Sequence, residues 1–135
     1  MKKISMFALA IPIMALMSCL PAMAQVKVTF TMSSGFYAGG AKLPAGTYTL
    51  RQMDDDAGAF TLQNGAGTHS IILEGRPSSK TTTGSPVVLF NKYNGVDYLQ
   101  GVETSSGNSV DINTGIAEKI AAKKGSPQPH TVPTK

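Results

Sequence analysis

The stretch PVVLFNKYNGVDYLQGVE, residues Pro86 to Glu103, decides the fold class. Two runs rich in β-branched and aromatic side chains flank Asn94 and Gly95, the residue pair best suited to the two positive φ angles of a tight hairpin turn. Pairing across that turn sets Tyr93 against Val96 and Asn91 against Tyr98. Val87 and Leu89 then lie further along the same face, with Val88 and Phe90 on the other. The first run is apolar on both sides, which predicts a central strand. Leu99 and Val102 are placed on opposite faces of the partner strand, and Gly101 marks a bulge.

The period of two extends outward from this hairpin. Val26, Val28, Phe30 and Met32 alternate with Lys27, Thr29 and Thr31, the pattern of a half-buried strand. Ser33 to Gly35 interrupt it, Phe36 to Ala38 continue it past a bulge, and Gly39 and Gly40 release the chain into a loop. In AKLPAGTYTL, Ala41 to Leu50, Pro44 has a fixed φ and Gly46 tolerates a positive one, so LPAG reads as a reversal. Tyr48 and Leu50 share a face beyond it, and Tyr48 needs a wet edge or a backbone acceptor for its hydroxyl. Phe60 and Leu62 form a short strand closed by the Asn64–Gly65 turn. His69, Ile71 and Leu73 share one face of the next strand, with Ser70, Ile72 and Glu74 opposite. Gly75 to Ser85 is a polar connection without periodicity, and Val110 and Ile112 mark the last strand.

The period then changes. In NTGIAEKIAAKK, Ile116, Ile120 and the stem of Lys123 recur at helical spacing, with Asn113 or Thr114 as cap and Lys123 and Lys124 at the end favoured by the helix dipole. SPQPHTVPTK, which holds His130, is proline-rich and reads as disordered. The expected architecture is all-β: a single sandwich or partly open barrel of about seven or eight short antiparallel strands with a short C-terminal helix. The β domain spans 25–113, the helix 114–124 and the tail 125–135. Val28, Phe30, Tyr48, Leu50, Phe60, Leu62, Ile71, Leu89, Phe90, Tyr98 and Val102 are its expected core.

The beginning of the chain has the composition of an export signal. Lys2 and Lys3 precede an apolar run, and Ala22, Met23 and Ala24 form a small-x-small cleavage site, so residues 1–24 read as a signal peptide and Gln25 as the mature start. Loss of Lys2 and Lys3 lowers the formal charge from +4 to +2, too little for a nucleic-acid footprint. Cys19 lies inside this leader. Leu16 to Cys19 offer the alternative of a lipidated first residue, the one route by which this reading brings in a membrane. The expected location is periplasmic or extracellular, with lipid anchoring at Cys19 as the alternative.

No catalytic, cofactor-binding or metal-binding residues are assigned from the sequence. Asp54, Asp56 and Gly58 echo the opening of a calcium loop, but the twelfth position from Asp54 is Gly65, which offers no bidentate carboxylate. The segment Asp54–Gly58 therefore reads as an acidic turn. His69 has no companion at ligand spacing and reads as a surface or edge residue. Lys80 and Gly84 lack the order of a phosphate loop. The expected function is a non-catalytic exported module that binds a protein or envelope partner. A carrier for a small apolar ligand is the alternative, with an enzyme less favoured.

The VTF strand, the LPAGTYTL turn, VLFNKYNGVDYLQGV and the terminal AEKIAAKK, taken in that order, resemble a group of small, uncharacterised bacterial secreted proteins. These share an LPAG-Tyr turn and a Phe-x-x-Tyr hairpin. The resemblance covers Val26 to Lys124 and implies an extracytoplasmic β-rich module. It carries over no activity and no functional residue.

Overall fold

The computed structural model describes residues 26–105 and 109–135; the leader, Cys19 and Gln25 lie outside the described residues. The described chain forms ten strands and one helix. The strands are β1 (Lys27–Met32), β2 (Phe36–Ala38), β3 (Ala41–Leu43), β4 (Gly46–Gln52), β5 (Ala59–Asn64), β6 (Ser70–Ser78), β7 (Val87–Tyr93), β8 (Val96–Glu103), β9 (Ser109–Ile112) and β10 (Gln128–Pro133), with α1 (Ile116–Lys124) before the last strand. They join into one open sheet running β1-β4-β5-β6-β9-β8-β2-β3, while β7 pairs with the other edge of β8 and β10 pairs with β7. The fold is all-β, and no helix among the described residues is long and apolar enough to cross a membrane.

The central hairpin follows from its turn. Asn94 and Gly95 adopt φ of 49° and 80°, and Tyr93 faces Val96 and Asn91 faces Tyr98. The register then shifts between Leu89 and Phe90: Leu89 lies opposite Gly101 and Phe90 opposite Leu99, leaving Gln100 as the extra residue. A bulge reverses the alternation beyond it. Leu99 and Val102 consequently sit on one face, opposite Phe90 and Val88, rather than on two. Gly101 is required there because a Cβ would lie 2.1 Å from the Val110 carbonyl oxygen of β9.

Rolling the sheet brings the inner faces of β1, β2, β4 and β7 together. Phe30 meets Phe36 at 6.1 Å, Tyr48 at 6.2 Å and Phe90 at 5.9 Å between ring centroids, and Phe36 meets Tyr48 edge-on at 5.0 Å. Such offset and edge contacts suit the ring quadrupoles. Tyr48 donates its hydroxyl hydrogen to the Pro44 carbonyl at 2.7 Å, so LPAG supplies the acceptor that lets this ring be buried. Burial raises the Tyr48 phenol above its ordinary pKa. Nine of the expected core residues are buried, whereas Ile71 and Leu89 are half-buried. Phe36, Val88 and Leu73 are buried with them.

Several expectations are corrected. The strand count is ten because Phe36–Ala38 turns through Gly39 and Gly40, both at positive φ, into a separate hairpin with β3. β2 also pairs parallel to β8, an exception to the otherwise antiparallel named strands. β6 runs on through Gly75 to Ser78, held by β9, so the first part of the polar connection is a strand. The tail 125–135 is ordered: β10 pairs with β7 from Gln128–Lys92 to Pro133–Val87, and it buries Val132. Neither Asn113 nor Thr114 caps the helix. Asn113 directly follows β9 and donates its N–H to Glu74 O of β6 at 2.9 Å, and the cap position falls on Gly115. Gly115 lies so close to the Gly39–Gly40 turn that a Cβ would approach Gly40 N at 2.5 Å.

Candidate functional site

Between β1 and β10 the rolled sheet stops short of closing. At one end the edges touch: the Lys135 N–H donates to Thr29 O at 2.9 Å. At the other end they part around a cavity of about 260 Å³, lined by Thr31, Met32, Ser33 and Ser34 on one side and His130 to Pro133 on the other. Lys92 of β7 and Asp97 of β8 also line it. These elements meet because β10 adds to β7 with His130 in register with Phe90, while Lys92 opposes Asp97 across the central hairpin. His130, Phe90, Lys92 and Asp97 therefore project from the same face of the sheet.

His130 Nδ1 and Asp97 Oδ1 are 2.9 Å apart. The Asp97 side chain is 3 % exposed and the imidazole 40 % exposed, so the carboxylate is fixed beneath the ring and the ring faces solvent. Phe90 lies beside the ring at 6.2 Å between centroids. A carboxylate holding Nδ1 leaves Nε2 as the outward nitrogen, and Ser33 and Ser34 supply hydroxyls to the same cavity. Nothing in the sequence pointed to this pair, because it joins positions 33 residues apart and His130 lies in a segment without hydrophobic periodicity.

A second polar group lies on the outer face of the hairpin. Glu118 of α1 is 5 % exposed and accepts hydrogen bonds from Gln100 Nε2 and, at 3.5 Å, from Asn91 Nδ2. Burial pushes its carboxyl above the ordinary value of 4.5, and the two amides partly oppose that shift. Tyr93 and Tyr98 beside it are raised as well, first by burial and then by Glu118 among other charges. The adjoining void, between Tyr37, Tyr98 and Ala117, is only about 10 Å³. A space this small barely admits one water, so the group anchors the helix.

The other residues singled out from the sequence are not brought together. Asp56 Oδ1 accepts the Gly58 N–H at 2.9 Å, closing the acidic turn on itself. His69 is exposed, and its N–H donates to Asn64 Oδ1 at 3.0 Å in the β5–β6 connection. Among the described residues no group of three or more His, Cys, Asp or Glu side chains is placed to hold a metal ion. Set against protein-family models, curated proteins and solved structures, the chain matches none.

Proposed function

We propose that this chain is a non-catalytic exported β-rich module that binds a protein or envelope partner, and that it does so at the β1–β10 seam. The observation that carries this reading is the open seam itself: two strand edges face each other over a cavity, and the chain just beyond β10 bonds β1 at its far end. Free edges attract other strands and are ordinarily blunted or covered, so a protected pair of edges suits a binding surface. Export rests on the basic start, apolar run and Ala22–Ala24 cleavage site, with lipidation at Cys19 as the alternative anchor. The resemblance to small bacterial secreted proteins agrees with that location. Against the carrier reading stand the aromatic rings of the interior, which meet one another directly.

The test is photo-crosslinking in the native envelope. A photoreactive residue at Ser34 is expected to capture a partner, whereas one at Thr61 on β5, away from the seam, is not. Absence of an adduct from both positions overturns the reading.

One observation favours a second reading. The Asp97–His130 pair beside Ser33 and Ser34 has the order of a carboxylate, a base and a hydroxyl, as in acyl-transfer enzymes. Hydrolysis of an activated ester by the mature protein that is lost in both His130→Ala and the Ser33→Ala/Ser34→Ala double variant would establish it. Equal rates in parent and variants would remove it.

A further inference from the structure

The seam's backbone defines the kind of partner it fits. In an extended strand the peptide groups of successive residues point to opposite edges. Thr134 donates its N–H toward Pro86 O on the β7 side, whereas Lys135 donates toward Thr29 O on the β1 side. Odd-numbered residues of β10 therefore face the seam: Pro129, Thr131 and Pro133. This is also the edge on which proline is tolerated, since the N–H it lacks is not required by the β7 ladder. Along this edge β10 presents three carbonyls and, from Thr131, one N–H. On the opposite wall, the Val26 carbonyl accepts from Gln52 N–H, so even-numbered positions of β1 serve β4 and Lys27, Thr29 and Thr31 face the seam.

We propose that the open end of the seam takes an extended, proline-free segment of a partner protein as a strand added to the Pro129–Thr131 edge of β10, opposite Ser33 and Ser34 where β1 has ended. This rests on the module reading above and names its ligand. Two prolines make the β10 wall rich in acceptors, which an ordinary extended backbone matches with its N–H groups. The same prolines hinder β10 from pairing with a second copy of itself, because two such edges would set carbonyl against carbonyl. A side chain of the guest strand that points inward would meet Met32, Val132 and Lys92. The nearby Asp97 carboxylate is engaged by His130, so a guest carboxylate suits Lys92 at that position.

The experiment selects short random displayed peptides against the mature protein and synthesises the peptide that enriches. Thr131→Pro removes the last seam-facing N–H of β10 without touching the β7 ladder, so its melting temperature should stay near the parent's while affinity falls about threefold to tenfold. Thr131→Val keeps the N–H and should keep the affinity. Methylating alternate amides of the peptide should lower affinity by at least as much, and this measurement stands even if Thr131→Pro fails to fold. Hydrogen exchange at Thr131 should slow when the peptide is bound.

Enrichment of no peptide, or of peptides indifferent to both changes, overturns the proposal. So does concentration-dependent dimerisation through β1 and β10 seen in sedimentation, which would make a second copy the occupant. Partner capture at Ser34 without any of these strand signatures would leave the module reading standing and remove strand addition alone.

Discussion

The two edges of β1 differ in kind. Toward β4 it pairs residue for residue from Lys27–Arg51 to Met32–Gly46, and the hydroxyls of Thr29 and Thr49, and of Thr31 and Thr47, meet at 3.0 and 2.9 Å on the outer face. Toward β10 it forms no ladder among the described residues: Lys135, just past β10, bonds Thr29 O, and beyond that lies a cavity. One strand thus belongs both to a closed wall and to an open seam. The difference lies in the facing sequence: β4 offers unbroken alternation in GTYTLRQ, whereas β10 offers QPHTVP, in which two prolines withhold donors and only Val132 is buried. Hydrophobic alternation closes a sheet and proline keeps its edge open.

The contrast can be broken most forcefully from the wall side. Phe90→Ala removes a ring that touches both Phe30 and Phe36 and should cost about 3 to 5 kcal/mol in denaturant unfolding. A loss below 1 kcal/mol would mean that the interior is not packed as described. On the seam side, Val132→Ala should cost only about 1 to 2 kcal/mol, because Val132 is the one buried side chain that β10 adds to its backbone ladder with β7. The amides of β10 should also exchange with solvent faster than those of β4 and β5. Equal protection of both regions would show that the seam is as firmly closed as the wall.

Glu118 supplies a pH test on the outer face. Its folded-state pKa lies above the unfolded value, so its contribution to stability is fully present below about pH 4.5 and is lost as pH rises through the folded value. Glu118→Gln keeps an acceptor for Asn91 or Gln100 and removes the charge. The variant should therefore melt above the parent at pH 7, by an effect of about 1 kcal/mol, with the gap narrowing toward pH 4. A gap that stays constant with pH would rule out the buried carboxylate as its cause. The smallest effect is expected at the hydroxyl ladder: Thr29→Val should change stability by a few tenths of a kcal/mol, since such cross-strand pairs contribute about 0.2 to 1 kcal/mol.

Legibility in the sequence followed the range of the interaction. The Asn94–Gly95 turn and the alternation of β1 and β4 are written in neighbouring residues, and each took the expected form. The helix shows where such reading fails. Ile116 and Ile120 have helical spacing but are 74 % and 51 % exposed, while Glu118 on the opposite side is buried. Periodicity identifies the helix and one of its faces, but the polar surface of Asn91 and Gln100 beneath it selects which face docks. The candidate site was illegible for a related reason. Asp97 lies in the best-defined hairpin and His130 in a proline-rich segment, and nothing local announces that β10 will return to β7.

By itself the sequence determined an all-β fold, its central hairpin and most of its core, because turns and alternation act over a few residues. Tertiary structure alone decided that the tail becomes the tenth strand, that Gln100 bulges and realigns Leu99 with Val102, and that Asp97 meets His130 beside an open seam. These outcomes depend on which edges and faces remain free after the rest of the chain has paired, a competition among distant segments that no short window of residues contains.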